Sequence, residues 1–137
     1  MSRGRKPSIK SPYYLPGKAY SLAMEYANNY DMWMAELRSL RNQNKAIDYS
    51  KDRVQASGDY DPTETAAIDI AELQSKLDKI DDTIREVSEG MDDFIRLAVC
   101  YDYTYRQLTM GRLKMPLNKN DFGRIKHHFY FELYKKI

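Results

Sequence analysis

A strict heptad spacing over residues 66–98 constrains the fold more than any other feature of the sequence. Apolar side chains recur there in alternating steps of four and three, and the intervening positions are mostly polar or charged. The recurring residues are Ala66, Ile70, Leu73, Leu77, Ile80, Ile84, Val87, Met91, Phe94 and Ala98. This spacing draws one apolar seam along one side of a helix, and the seam has to be covered by another element. The pattern therefore predicts an all-α fold.

A second seam runs from Lys18 to about Ser50. Its members are Ala19, Ala23, Tyr26, Tyr30, Trp33, Leu37, Leu40, Asn44 and Ile47. The polar Asn44 either fixes register or partner number, or lies near a frayed helix end with no special role. Two heptad helices joined by a connection of about ten residues predict a long antiparallel, coiled-coil-like hairpin. The two seams are predicted to pair within one chain, between two chains, or both. The residues predicted to form this pairing are Trp33, Leu37, Leu40, Leu73, Leu77, Ile80 and Ile84.

Local helix signals divide the chain further. Asp61-Pro62-Thr63-Glu64 combines an N-cap, a proline at the first helical position and an acidic third position, which predicts a helix start. Gly90 is expected to end that helix, and a threonine cap at Thr104 is expected to open a short one. We therefore predict a basic flexible arm over 1–17, a helical hairpin over 18–90, and a head of three helices over 91–137. The order of helices in the head is typical of a helix-turn-helix unit.

The terminal helix is predicted to have two unlike faces. Asn118 is a good N-cap, and an apolar stripe follows at Phe122, Ile125, Phe129 and Leu133. Roughly opposite that stripe lie Asn120, Arg124, His127 and Phe131. One face thus suits a core and the other offers hydrogen-bond donors, as a DNA-recognition helix does. The alternative is the outer face of an ordinary bundle, and for Phe131 we favour packing against the hairpin or a second subunit.

The formal net charge of +2 conceals a strong asymmetry. Residues 1–20 carry +5 and residues 94–137 carry +6, whereas residues 58–93 carry −9. Two basic ends around an acidic middle are expected when parts of a chain meet a polyanion. In the N-terminal arm, Arg3-Gly4-Arg5-Lys6-Pro7 resembles the core of AT-hook arms that lie in the minor groove, and a solvated basic tail is the alternative.

The sequence lacks the residues that several classes of function usually require. The two histidines, His127 and His128, are adjacent and cannot chelate one metal as an i, i+4 pair would, and there is no glycine-rich phosphate loop. Cys100 is a lone cysteine in an apolar run, which favours a buried structural thiol. We therefore expect no enzyme, cofactor or metal. The sequence has no apolar run that would span a bilayer and no signal peptide, so a cytoplasmic protein is expected.

Two separated stretches resemble a known family. Ser50 to Ser57 followed by Asp61-Pro62-Thr63-Glu64 is similar to the connection in the small phage-encoded transcriptional regulators of Gram-positive hosts, the RinA/ArpU-like group. The basic–aromatic ending that contains Phe122, Arg124 and Tyr134, and the short-helix start Thr104-Tyr105, are similar to that group's C-terminal region. The resemblance covers roughly residues 45–137 and implies a late-gene activator with a sigma-factor-like head. His127-His128 departs from it, because more arginine or lysine is typical there.

The leading hypothesis is a dimeric, sequence-specific DNA-binding transcriptional regulator, with double-stranded DNA as partner and host RNA polymerase as a further candidate partner. The residues expected to meet DNA are Arg3, Arg5, Lys6, Arg106, Arg112, Lys114, Lys119, Asn120, Arg124, His127 and His128. A small terminase-like packaging subunit is a rival that also binds DNA. A rival of another class is a protein-binding inhibitor or adaptor that acts through the acidic hairpin, whose acidity is otherwise that of a solvated helix face.

Overall fold

The protein is described by a computed structural model that covers residues 10–49 and 62–137, without the side chains of 43–49 and 62–66. Its helices are α1 (Gly17–Asn28), α2 (Tyr30–Tyr49), α3 (Pro62–Val87), α4 (Asp92–Cys100), α5 (Tyr105–Thr109) and α6 (Lys119–Lys136). No strand occurs among these residues, which confirms the predicted all-α class. The predicted connection over 51–60, the cap at Asp61 and the side chain of Asn44 lie outside the described residues.

The predicted end of the second seam helix is confirmed. α3 ends at Val87, and the chain leaves it through Glu89 at φ 55° and Gly90 at φ 89°. Positive φ is readily adopted by glycine, so Gly90 suits this turn. The acidic pair Asp92-Asp93 then forms the first turn of α4, where the helix dipole favours negative charge.

The first seam is not one continuous helix, and this prediction was wrong. α1 ends at Asn28 and α2 begins at Tyr30, with Asn29 between them at φ −80° and ψ −3°. The amide of Asn29 donates both to the carbonyl of Glu25 (3.2 Å) and to that of Tyr26 (3.3 Å). Asparagine has a weak helix propensity because its side chain competes for backbone groups, and two asparagines occur in succession here.

The structure also divides the chain differently from the predicted ranges 18–90 and 91–137. Its first compact unit combines Met1–Asp31 with Lys79–Ile137, and its second is Met32–Asp78. The physical reason lies in α1, whose buried face is made largely of the small residues Ala19, Ala23 and Ala27. Small side chains let a neighbouring helix approach closely. α1 accordingly packs on the aromatic-rich α6 and on α4, and the ring of Tyr20 lies 5.2 Å from that of Tyr130.

The core of the first compact unit is built around α6. Phe122, Ile125, Phe129 and Leu133 are all buried there, which confirms the predicted apolar stripe. Ile80 and Ile84 from α3 are fully buried in the same unit, as the seam predicted. The remaining core residues include Leu15, Met24, Val87, Ile95, Ala98, Val99, Cys100, Leu108 and Met115. Burial raises the pKa of the Cys100 thiol well above its ordinary value, as expected for a structural cysteine.

The second compact unit contains the rest of the two seams. Trp33, Leu37, Leu73 and Leu77 are buried, as predicted, while Leu40 is half-buried. Lys76 places its ammonium group 5.1 Å from the centroid of the Trp33 ring. Arg41, later on α2, donates to Gln74, earlier on α3, at 3.0 Å. Together with Ile80 and Ile84 of the first unit, burial of the predicted seam is thus confirmed at six positions, whereas a coiled-coil hairpin and its pairing with a second chain remain predictions.

A polar network in the first compact unit was not predicted. The hydroxyl of Tyr30 donates to Asp81 Oδ1 at 3.0 Å, and Arg96 Nη2 donates to the same oxygen at 3.1 Å. Arg96 also reaches the exposed Asp93 at 3.3 Å. The three helices that supply these side chains, α2, α3 and α4, are therefore joined by one carboxylate. Burial above all, and then the charge of Asp81, raise the pKa of Tyr30 to about 12.

Replacing Tyr30 by phenylalanine is expected to reduce the loss of stability at alkaline pH. With a pKa raised from 10.0 to about 12, the folded chain holds a proton that the unfolded chain releases. The contribution of this proton to the free energy of unfolding is complete below pH 10 and is lost as the pH rises towards 12. Urea unfolding at pH 9 and pH 11.5 measures the effect. The exposed Tyr14 supplies the control, because Tyr14→Phe should leave the wild-type loss unchanged. An equal loss in wild type and Tyr30→Phe would contradict the assignment.

Candidate nucleic-acid interface

The first half of α6 presents the predicted polar face to solvent. The Asn118 side chain accepts from the Asp121 amide at 2.8 Å, so the helix begins at the predicted cap. Lys119, Asn120 and Arg124 are exposed, while Phe122 and Ile125 point into the core. The opposite orientation, with phenylalanines outside and the cations buried, would have excluded recognition by this helix. The structure has the predicted orientation at these positions.

The chain that leads into α6 is unusually basic. We name residues 104–120 the cationic segment, because it holds four cations and no aspartate or glutamate. The four are Arg106, Arg112, Lys114 and Lys119, and all are exposed. Within the part of the chain that the structure describes, none of them forms an ion pair. Elsewhere in the first compact unit, Arg85, Arg96, Arg124, Lys135 and Lys136 pair with carboxylates, whereas Lys10, Lys18, Lys79 and Lys126 form no ion pair among the described residues. The cationic segment therefore offers uncompensated positive charge.

Local hydrogen bonds fix the shape of the cationic segment. α5 opens with a capping box, in which the Gln107 amide donates to Thr104 Oγ1 (3.1 Å) and the Thr104 amide to Gln107 Oε1 (2.8 Å). The predicted threonine cap is thus confirmed. The Tyr105 hydroxyl donates to the carbonyl of Leu117 at 2.7 Å, and its ring lies 5.5 Å from that of Phe122. These contacts hold the start of α5 against the start of α6, although the helix-turn-helix assignment itself remains a prediction.

Arg124 is exposed but already has partners. Its Nη1 donates to Glu89 Oε2 at 2.9 Å, and its Nη2 lies 3.9 Å from Asp121 Oδ1. The hydrogen bond that Arg124 donates to Glu89 is the main cause that raises the pKa of the Arg124 guanidinium. A bidentate contact to guanine requires the same nitrogens. Arg124 therefore has to release the carboxylate of Glu89 before it can contact a base. The sequence did not indicate a role for Glu89.

The second half of α6 is partly covered on its predicted open face, where His127 and His128 are half-buried. The ring of His128 stacks on Tyr13 with centroids 4.3 Å apart, and Phe131 lies 5.9 Å from the same tyrosine. His127 meets the edge of Tyr20 at 6.4 Å. Tyr13 belongs to the segment before α1, in which Leu15 is buried, whereas Tyr20 belongs to α1 itself. Both histidines thus have packing partners inside the protein, and their contact with DNA stays a prediction.

Lys126 is also withdrawn from solvent. Its ammonium group lies 5.4 Å from the centroid of the Phe122 ring, and burial lowers its pKa. The outward cations of α6 that remain for a ligand are thus Lys119 and Arg124 at its beginning and the pair Lys135-Lys136 at its end. Lys136 pairs with Glu86 at 2.9 Å, and Lys135 with Glu132 at 3.2 Å. Arg3, Arg5 and Lys6, the predicted contacts of the N-terminal arm, lie outside the described residues.

Other sites in the described residues are shallow. A groove of about 520 Å³ lies between α1 and α6 in the first compact unit and is lined by Leu22, Glu25, Tyr26, Asn29, Tyr134 and Ile137. The second compact unit has a groove of about 390 Å³, whose lining includes the carboxylates of Glu36, Asp69 and Glu72. Throughout 10–49 and 62–137, no group of three or more histidines, cysteines or carboxylates is arranged to hold a metal ion. Among the helices described, none is long and apolar enough to cross a membrane.

The comparisons with known proteins found no match among protein-family models, among curated proteins or among solved structures. The resemblance to the RinA/ArpU-like group therefore remains a prediction from the sequence.

Proposed function

We propose that this chain binds double-stranded DNA as a transcriptional regulator of the phage late-gene type. The observation that carries the proposal is the cationic segment, in which four exposed cations lie without an ion pair among the described residues and without a neighbouring carboxylate in the segment. Cations that neutralise phosphates release condensed counterions, and this release supplies much of the affinity of proteins for DNA. A protein with no anionic partner would gain little from concentrating unpaired charge in one place.

The roles of the side chains follow from their chemistry. Arg106, Arg112, Lys114 and Lys119 are assigned to phosphates, which position a protein on DNA without reading its sequence. Asn120 and Arg124 project from α6 and are assigned to base edges, because asparagine pairs with adenine and arginine with guanine in the major groove. From the family resemblance we further propose that the chain forms a homodimer through the seams and contacts host RNA polymerase.

The direct test is the affinity for 30-base-pair duplexes of random sequence as a function of salt. Four phosphate contacts predict that the logarithm of the association constant falls with the logarithm of salt concentration with a slope of about −3.6. Selection of the tightest duplexes should then reveal a preferred sequence. Absence of binding at low salt would reject the proposal, and so would affinity independent of salt.

A second candidate function is supported by the carboxylate-lined groove of the second compact unit. Glu36, Asp69 and Glu72 suit a basic surface on another protein, as an inhibitor or adaptor would need. Failure to bind DNA, together with a binding partner whose affinity is lost in Glu36→Gln/Glu72→Gln, would favour this function. The terminase-like alternative shares DNA binding, and its mass in solution would be that of a ring rather than a dimer.

Replacing Glu89 by glutamine is expected to strengthen DNA binding about 1.4- to 5-fold, because the exposed ion pair that competes for Arg124 is worth about 0.2–1 kcal/mol. Glu86→Gln is the matched control. It removes the same charge from an exposed pair, that with Lys136 at 2.9 Å, without touching Arg124. Affinities are compared at one salt concentration. An equal gain in both variants would show that only the overall charge matters and that Arg124 does not contact DNA.

A further inference from the structure

The loop between α5 and α6 exposes apolar side chains among its cations. We name Met110-Gly111-Arg112-Leu113-Lys114 the loop tip. Met110 is 62% exposed and Leu113 is 39% exposed, so neither is part of the core. Arg112 and Lys114, the cations on either side of Leu113, are exposed as well. The loop tip therefore presents apolar and cationic groups together to whatever it meets.

The loop tip is held at its base. Leu108 and Met115, which flank it, are buried, and the Met115 amide donates to the Leu108 carbonyl at 2.8 Å. Gly111 has φ 83° and Lys114 has φ 48°, so the chain turns sharply between these anchors. For a residue other than glycine, such as Lys114, a left-handed conformation is unfavourable. The core positions on both sides are occupied by Leu108 and Met115, while Met110 and Leu113 stay exposed.

Double-stranded DNA has the chemistry that fits such a tip. Its phosphates attract Arg112 and Lys114, while the faces of its bases are apolar and become accessible when two base pairs are partly unstacked. Leucine and methionine are among the side chains that proteins insert between base steps from the minor groove, and the insertion kinks the duplex by roughly 20–90°. The exposed Lys119 and Asn120 follow in the same segment. The side-chain amide of Asn120 has the donor and acceptor that pair with the edge of an adenine base.

We propose that Met110 and Leu113 form an apolar wedge that inserts at a base step and bends the DNA, with Arg112 and Lys114 on the flanking phosphates. This inference rests on the proposed DNA-binding function and adds a second contact to that of α6. It also adds a source of specificity, since pyrimidine–purine steps such as TA and CA kink more easily than others.

The experiment measures bending and affinity separately. A 30-base-pair duplex carries a fluorescence donor and acceptor at its ends, so that bending raises the energy transfer between them. Met110→Ser/Leu113→Ser is expected to lose at least half of that rise and the preference for TA or CA at the kink, with the salt slope unchanged. The matched variant Arg112→Ala/Lys114→Ala is expected to lower the salt slope by about 2 and to keep the bend in the duplex it still binds. Leu113→Phe preserves an apolar wedge and should keep the bend.

The outcomes separate this inference from the function on which it rests. If the unsubstituted chain does not bind DNA, the proposed function itself fails. If it binds DNA but leaves the duplex straight, or if the double serine variant bends it as well as the unsubstituted chain, the wedge alone is rejected. Binding of the protein to vesicles of anionic and of neutral lipid is measured in addition. Binding to anionic vesicles that the serine variant loses, without bending of DNA, would assign the loop tip to a membrane surface instead.

Discussion

A variant with Arg106, Arg112, Lys114 and Lys119 all replaced by alanine is expected to bind DNA about 4000-fold more weakly at 0.1 M salt. Each phosphate contact contributes about 0.9 to the salt slope, which at 0.1 M corresponds to nearly a factor of ten in affinity. The same variant should therefore lose about 3.6 units of slope. All four side chains are exposed, and no ion pair within the described residues depends on them, so the free energy of unfolding should hardly change.

The control for this prediction removes the same amount of charge from other positions. Lys18, Arg38, Arg85 and Lys135 are all exposed and lie outside the cationic segment. Their joint replacement by alanine lowers the net charge equally, and it should change the salt slope by less than one unit. Binding curves of the two variants at four salt concentrations decide the matter. Equal losses would show that the protein meets DNA through its net charge and not through the cationic segment.

Helix boundaries were largely predictable from the sequence, because they depend on residues within one turn of the chain. Asn118 caps α6, and Thr104 caps α5 with Gln107 completing the box. Positive φ at Gly90 follows the end of α3. The apolar stripe of α6 was predictable for a similar reason, since a spacing of three and four already defines which side of a helix is buried.

The grouping of helices was not predictable from the seams. A heptad pattern records that a side chain is buried but does not identify what covers it. Ala19 and Ala23 fit the first seam, yet α1 packs on α6 and α4 within the first compact unit. The size of the side chains would have indicated the partner of α1, because a helix face made of alanines is complementary to a helix as rich in aromatic residues as α6. The weak break at Asn28-Asn29 was hidden by the continuity of the apolar pattern.

The candidate site was predictable where it depends on charge along the chain and not where it depends on distant partners. The exposed cations of residues 104–120 follow from the absence of acidic residues there. The contact of Arg124 with Glu89 joins residues 35 apart in sequence, and the stack of His128 on Tyr13 joins the two ends of the described chain. No local pattern indicates such pairs. Met110 and Leu113 are exposed in a stretch where no regular spacing of apolar residues distinguishes a buried side from an exposed one.

Replacing Phe129 by alanine is expected to reduce the free energy of unfolding by about 3–5 kcal/mol, the range for removing a buried phenylalanine. Phe129 is completely buried on α6, and its ring lies 5.3 Å from that of Tyr130. A small protein is stabilised by only about 5–15 kcal/mol in total, so this single change removes a large part of it. Phe131→Ala on the same helix is the matched control, and it should cost roughly 1 kcal/mol because Phe131 is only half-buried.

Urea unfolding with two probes makes this prediction sharper. Trp33 is the single tryptophan of the chain and lies in the second compact unit, so its fluorescence reports on that unit, whereas far-ultraviolet circular dichroism reports on all helices. Because Phe129 belongs to the first compact unit, the circular dichroism transition of Phe129→Ala should move to lower urea. A tryptophan transition that moves with it would mean that the two units unfold together, and one that stays would mean that they unfold separately. Equal losses for Phe129→Ala and Phe131→Ala would contradict the central position of Phe129 in the core, because only a buried ring leaves a cavity that the surrounding helices cannot fill.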